Sequence, residues 1–116
     1  MGGKERFPIS LNAVNIVCFR IDWNERMLNV LLINRIIAPH KNKWSLPGGF
    51  VQEDETIEES AKRIFTEETG LVPNYLSQFR TYSDTKRDKR VIDQKSGDKA
   101  RVITTSFTAI YTDNQR

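Results

Sequence analysis

Residues 46–71 read LPGGFVQEDETIEESAKRIFTEETGL, in which a pair of glycines is followed by a strongly acidic segment. This stretch predicts a helix over residues 54–69. Asp54 or Thr56 can cap its start, and Gly70 stands where a left-handed C-terminal residue is wanted. Acidic residues crowd the first turns, which suits the positive end of the helix dipole.

One face of this predicted helix is apolar. At about 100° per residue, four residues share an arc that must face the core: Ile57, Ala61, Ile64 and Phe65. Glu68 falls about 20° from Ile57, in the middle of that arc. A carboxylate in a core-facing position is costly unless a cation or strong donors satisfy it. Glu68, next to Glu67, is therefore interpreted as a ligand of a hard divalent cation such as Mg²⁺.

The opposite flank of the helix carries charges at i, i+4 spacing. Glu55, Glu59, Arg63 and Glu67 follow one another there, so Arg63 can pair with Glu59 and Glu67. For Glu58 and Glu59 we prefer the simpler interpretation, a solvated face with ordinary ion pairs.

Just before the helix, Gly48 and Gly49 lie where a strand must turn sharply. Glycine lets the backbone approach a ligand closely and exposes its carbonyl and N–H groups. A Gly-Gly pair is more often only a turn. At a fixed spacing before an acidic helix, however, it is strong evidence for a ligand site.

The rest of the chain predicts strands around this helix. Strands are expected at residues 13–20, 28–35, 76–82 and 102–111, the second of them largely buried on both faces. One helix among strands indicates a mixed sheet in an α/β domain. The chain ends five residues after Tyr111, which leaves open whether the last elements of the fold are present.

Composition fits one soluble domain over residues 1–116. Hydrophobic residues make up 38% and charged residues 28%, and no apolar run approaches the roughly 20 residues of a membrane span. The single cysteine, Cys18, lies in an apolar run, so we expect a buried thiol and a reducing, cytoplasmic location.

The net charge of +3 is unevenly distributed. Residues 86–101 hold seven basic and three acidic residues, and we predict a mobile loop over residues 83–100. Direct nucleic-acid binding by this segment is a weak hypothesis, because acids interleave with the bases and no aromatic residue is available for stacking.

The spacing of these residues resembles the Nudix box. That box reads Gly-x5-Glu-x7-Arg-Glu-U-x-Glu-Glu-x-Gly-U, with U a bulky aliphatic residue, and would span residues 49–71 here. The positions that agree are Gly49, Glu55, Arg63, Glu67, Glu68, Gly70 and Leu71. Phe65 is a tolerable variant at the first U, whereas Ile64 stands where the box has a glutamate.

The resemblance covers most of the chain and is strongest to the branch that acts on ADP-ribose and related compounds. Segments outside the box that carry it are residues 31–35, 43–51, 75–76, 81–84, 87–90 and 101–103. This branch includes transcriptional regulators in which such a domain senses a metabolite and a winged-helix domain binds DNA. The implied fold is an α/β/α sandwich around a mixed sheet.

The resemblance also implies roles for particular residues. Mg²⁺ or Mn²⁺ would be bound by the Gly48 carbonyl, Glu67 and Glu68, with Arg63 orienting the acidic cluster. Glu55 would support the helix start or an outer-shell cation. The catalytic group would then be Glu67, Glu68 and Arg63. The residues expected to contact the ligand are Gly48, Gly49, Arg35, Arg87 and Arg90.

In the family, the glutamate at the position of Ile64 is a metal ligand and in some members the general base. This chain lacks that carboxylate. In the ADP-ribose branch the base often lies on a later loop, which here would fall in or after residues 83–100 or beyond Arg116.

Two hypotheses follow with equal weight. The first is a weakened pyrophosphohydrolase acting on a nucleoside diphosphate derivative such as ADP-ribose. The second is a ligand-sensing domain of a regulator, which would reach DNA only through a domain absent from this chain. The resemblance is also consistent with a homodimer in which residues 102–111 lie at a sheet edge.

Overall fold

One long strand organises the fold. The computed structural model describes residues 10–35, 42–84 and 101–112. Strand β1 (Ser10–Asp22) pairs in parallel along nearly its whole length with β7 (Arg101–Thr112). Its other edge is shared by two shorter antiparallel partners, β2 (Met27–Val30) and β5 (Gly48–Phe50).

Strand β6 (Tyr75–Tyr82) pairs antiparallel with the far edge of β7 and completes the order β2-β1-β7-β6. A separate pair is formed by β3 (Ile33–Asn34) and β4 (Trp44–Ser45). The helix α1 (Ile57–Thr69) lies between β5 and β6 in the chain. The expected mixed sheet in an α/β fold is confirmed. Within the described residues α1 is the one helix, so they do not include a second helical layer of a sandwich.

The core lies between α1 and the two central strands. The cluster joins Val14, Ile16 and Cys18 of β1 to Ala61, Ile64 and Phe65 of α1 and to Phe107 and Ala109 of β7. Alternate residues of β1 face the helix, as the period of two in a strand requires. Cys18 is only 1% exposed, and this burial raises the pKa of its thiol, as expected for a structural cysteine.

Two strand predictions were wrong in detail. The segment predicted as one strand over residues 28–35 is divided into β2 and β3, and its residues alternate between exposed and half-buried instead of being buried on both faces. Leu28 and Val30 lie on the edge strand β2, which periodicity alone cannot distinguish from a central strand. Conversely, residues 102–111 do not form an edge, because β7 pairs with β1 on one side and β6 on the other.

Several predictions fall on residues outside the described ranges. These include Arg87, Arg90 and most of the charged segment 83–100, of which Ser83 and Asp84 are described. Among the described residues, no helix has both the length and the apolar character required to cross a membrane.

Candidate functional site

The glycine pair is held against β1 by close backbone contacts. The Ile16 N–H donates to the Pro47 carbonyl at 2.9 Å, and Gly48 and Gly49 pair with Asn15 and Val14. A Cβ added to Gly48 would lie 2.8 Å from the Val14 carbonyl oxygen, a contact that real Cβ atoms do not make. Glycine is therefore required here by the proximity of another backbone.

Helix α1 begins and ends at well-formed caps. Thr56 is the N-cap, and its hydroxyl accepts from the Glu59 N–H at 3.1 Å while the Glu59 carboxylate accepts from the Thr56 N–H at 2.8 Å. At the other end Gly70 has φ 75° and donates its N–H to the Thr66 carbonyl at 2.8 Å. The helix thus starts at Ile57, three residues later than predicted, because Thr56 rather than Asp54 is the cap.

Arg63 ties the loop before the helix to the helix itself. Its guanidinium donates to both Glu55 oxygens, one of them at 2.9 Å, and to the Phe50 carbonyl at 3.2 Å. The Ser60 hydroxyl also donates to Glu55, at 2.6 Å. Arg63 and then Ser60 lower the pKa of Glu55 to about 2, and Glu55 in turn raises the pKa of Arg63.

This arrangement corrects the predicted pairing of Arg63 with Glu59. Glu59 is occupied by the helix cap, and its place is taken by Glu55, eight residues before Arg63 in the chain. The predicted contact with Glu67 is confirmed, with Arg63 donating to it at 3.2 Å. The Glu67 side chain remains 62% exposed.

Glu68 is exposed and does not lie in the core, which corrects its predicted position at the centre of the apolar arc. Helical periodicity correctly places Glu68 on the same face of α1 as Ile64. However, Glu68 lies one turn further along, in the last turn of the helix, where it faces the glycine loop instead of the core. Its carboxylate accepts from the Gly48 N–H at 2.9 Å. Because Glu68 is exposed, it does not carry the desolvation cost that led to the prediction of a cation at this position.

Ile64 occupies a core position. It is 3% exposed, and its Cδ1 lies 3.1 Å from where a Cβ on Gly49 would be. The side chain that replaces the box glutamate therefore packs directly against the glycine loop, with no room between the two for an ion or a water molecule.

A cleft of about 280 Å³ opens beside the glycine loop. Its lining brings together three separate parts of the chain: Ile33, Asn34 and Arg35, then Ser45, Leu46 and Gly48, and finally Glu68. The structure thus places Gly48, Glu68 and Arg35, all predicted site residues, around one cleft. Asn34 and Ser45 received no role from the sequence, because nothing in it predicted the β3–β4 pairing that brings them there.

The predicted metal ligands do not form a cation site by themselves. Glu55 is bound by Arg63 and Ser60, Glu67 by Arg63, and Glu68 by the Gly48 N–H. Over residues 10–35, 42–84 and 101–112, no three His, Cys, Asp or Glu side chains are grouped so as to hold a metal ion. Mg²⁺ usually keeps several waters beside one or two carboxylates, so the described residues provide at most part of its coordination and do not make a dedicated protein site for it.

A glycine loop, a capped acidic helix and a mixed sheet in this arrangement define a Nudix-type domain. The family model for the NUDIX domain matches residues 11–114, so the chain belongs to the NUDIX family. Nudix hydrolases generally use divalent metals.

Two curated relatives match part of the chain. The ADPR responsive transcriptional repressor NtrR of Acinetobacter baylyi is 37% identical over 89 residues, which are 75% of this chain and 35% of that protein. The ADP-ribose pyrophosphatase of Methanocaldococcus jannaschii is 46% identical over 66 residues, 57% of this chain and 39% of that protein. The matched region thus spans little more than a third of either relative.

Solved structures with the same fold include the NUDIX domain of Shewanella oneidensis NrtR complexed with ADP-ribose. Its TM-score is 0.75 at 32% identity, over 91% of this chain and 63% of that one. A MutT/nudix family protein from Enterococcus faecalis gives a TM-score of 0.78 at 32% identity, over 91% of this chain and 38% of that one.

Proposed function

We propose that this domain binds a nucleoside diphosphate derivative of the ADP-ribose type in the cleft beside α1 without appreciable turnover. The observation that carries this proposal is the position of Ile64. It is buried against Gly49, where the family pattern has a carboxylate. An apolar side chain there cannot hold a cation or activate water, and Ile64 is not among the residues that line the cleft.

The cleft has suitable chemistry for such a ligand. Arg35 offers a planar guanidinium, which is suited to phosphate oxygens. Asn34 and Ser45 supply side chains that can both donate and accept hydrogen bonds, as ribose hydroxyls require. Ile33 and Leu46 provide apolar surface next to them. The relatives named for ADP-ribose responsiveness or hydrolysis support this ligand class.

Calorimetric titration of the 116-residue chain with ADP-ribose tests the proposal. We expect saturable binding, and we expect Arg35→Gln to weaken it by about tenfold or more because a charged phosphate contact is lost. Lys62→Gln is the matched control, since it also removes one positive charge but from an exposed site on α1 outside the cleft lining. Equal weakening by both variants would indicate only a general charge effect. Absence of binding by the parent chain would refute the proposal.

A second candidate is a slow pyrophosphohydrolase that uses Mg²⁺ or Mn²⁺. The observation in its favour is that Glu67 and Glu68 are both exposed and that Glu68 contacts Gly48. Ligand phosphates could add the oxygens that the protein lacks. Chromatographic analysis of products from ADP-ribose and several nucleotide sugars separates the two candidates. Accumulation of AMP from ADP-ribose over several turnovers per chain would favour the hydrolase, and recovery of unchanged ADP-ribose would favour binding alone.

The role of this domain in a larger protein depends on whether it only binds its ligand or also hydrolyses it. If the domain binds without turnover, we propose that it acts as the sensing part of a transcriptional regulator, as in the repressor that it resembles. DNA binding would then belong to a domain outside this chain.

A further inference from the structure

The contact between Glu68 and Gly48 joins two parts of the chain that are 20 residues apart. Within the described residues, the Gly48 N–H is the one donor recorded for the Glu68 carboxylate. The distance of 2.9 Å is that of a normal hydrogen bond, and an ionised acceptor makes such a bond stronger than a neutral one does. This bond fixes the glycine loop to the last turn of α1.

The preceding turn of the helix makes a contact of the opposite kind. Ile64 packs against Gly49, so successive residues of β5 meet residues one turn apart on α1. One contact is apolar and the other is a hydrogen bond. Two carboxylates at positions 64 and 68 would repel each other and would need a cation between them. With Ile64, that repulsion is absent, and the remaining carboxylate is satisfied by the backbone.

The neighbouring carboxylates are held in the same way by donors of the protein. Arg63 donates to Glu55 and Glu67, and Ser60 donates to Glu55. In the described part of the chain, each of the carboxylates of Glu55, Glu67 and Glu68 thus accepts at least one hydrogen bond from a protein N–H or O–H group. The glycine loop is held by its backbone pairing with β1 and by the Glu68 carboxylate.

We infer that Glu68 is a loop-positioning residue in this chain, and that the cleft binds its nucleoside diphosphate ligand without a divalent cation. The second half of this inference rests on the function proposed above. Positive charge for the ligand's phosphates comes from Arg35, which lines the same cleft as Glu68. Recognition of the ligand then depends on protein groups alone.

Stability without metal tests the role of Glu68 independently of any ligand. In EDTA, Glu68→Gln keeps an oxygen that can accept from Gly48, whereas Glu68→Ala removes it. We expect the glutamine variant to unfold near the parental midpoint and the alanine variant to unfold lower by about 2–6 °C. Glu58→Ala is the control, because Glu58 is an exposed glutamate on the same helix, and it should leave the midpoint nearly unchanged. Parental midpoints for both Glu68 variants would overturn the positioning role.

A titration with Mn²⁺ alone, followed by electron paramagnetic resonance, tests the cation directly. We expect no saturable site up to millimolar Mn²⁺ in the parent chain. Saturable binding that both Glu68→Gln and Glu68→Ala abolish would identify Glu68 as a metal ligand and overturn the inference.

Titration with ADP-ribose in EDTA and in millimolar Mg²⁺ tests the binding mode. We expect dissociation constants that agree within about threefold. Binding that requires Mg²⁺ would overturn the inference and leave the proposed function standing. Absence of binding in both buffers would overturn the proposed function and metal-free recognition together. The stability variants would still decide the positioning role.

Discussion

The Cδ1 atom of Ile64 lies 3.1 Å from the point where a Cβ on Gly49 would be. This contact joins the helix of the Nudix box to the glycine loop through apolar atoms. Position 64 is part of the core, where Ile64 is 3% exposed, and a side chain at position 49 would be in tight contact with it.

Alanine substitutions at the two glycines should have different costs. At Gly48 the new Cβ would meet the Val14 carbonyl oxygen at 2.8 Å, so one of two backbone segments must move. We expect Gly48→Ala to lower the free energy of unfolding by about 3 kcal/mol and Gly49→Ala by about 1 kcal/mol, since at Gly49 only the end of a side chain must shift. Urea unfolding of both variants measures the difference.

A double variant checks the origin of the smaller cost. Ile64→Val removes the Cδ1 atom that the new methyl group would approach. The combination of Gly49→Ala with Ile64→Val should therefore be more stable than the sum of the two single changes predicts. Strict additivity would show that the Ile64 contact does not limit residue 49.

Restoring the box glutamate should reduce stability and create a metal requirement. We expect Ile64→Glu to cost about 3–5 kcal/mol without metal, because a carboxylate then replaces a buried apolar side chain close to Glu68. With millimolar Mn²⁺, part of this loss should be recovered by binding to the folded state. ADP-ribose turnover should rise by about tenfold or more, since a positioned cation stabilises the transition state.

Ile64→Gln is the control for that experiment, because the glutamine side chain has nearly the shape of glutamate but carries no charge. It should lose stability without any recovery in Mn²⁺. If Ile64→Glu binds Mn²⁺ but ADP-ribose turnover does not rise, the chain lacks the general base as well. If the parent chain already hydrolyses ADP-ribose at ordinary enzyme rates, the missing glutamate is dispensable and the sensing proposal is wrong.

Low pH should reduce the free energy of unfolding of the domain because Glu55 becomes protonated. Its pKa is lowered from 4.5 to about 2, chiefly by Arg63. The folded state therefore binds this proton less readily than the unfolded state does. The resulting stability is fully present above pH 4.5 and is lost as pH falls towards 2. Urea unfolding across this window should show a flatter pH dependence for Glu55→Gln than for the parent.

Glu53→Gln provides a comparison for the pH experiment, because Glu53 is an exposed carboxylate in the turn just before Glu55. It should retain the parental pH dependence. If Glu55→Gln also retained it, the ion pair with Arg63 would contribute nothing measurable to stability.

The N-cap of α1 at Thr56 should make a measurable contribution to the free energy of unfolding. Thr56→Ala removes the hydroxyl that accepts from the Glu59 N–H, and we expect a loss of about 1 kcal/mol in the free energy of unfolding. Thr66→Ala, at an exposed position inside the same helix, should be neutral or slightly stabilising because alanine favours helix. Similar losses in both variants would contradict a specific role for the cap.

Much of the site could be predicted because its determinants are close together in the chain. Gly70 ends the helix through its own left-handed conformation, and Thr56 begins it through bonds to a residue three positions away. The apolar arc placed Ile64 in the core, since helical periodicity fixes which residues share a face. The contact of Arg63 with Glu67 follows from the same periodicity.

The remaining contacts depend on segments that meet only in the folded chain. Arg63 binds Glu55 rather than Glu59 because the loop before the helix folds back alongside it. The direction of Glu68 was predictable, but its surroundings were not, since they depend on how far β5 extends along the helix.

The sequence by itself thus determined the Nudix motif, the helix with its C-cap at Gly70 and the missing glutamate at Ile64. These are properties of local order and of residue identity. Only the tertiary structure decided that β7 is a central strand, that Gly48 is the partner of Glu68, and that Arg35 shares a cleft with both. The physical reason is that strand pairing and cleft formation depend on contacts between distant segments, which side-chain periodicity within one segment does not specify.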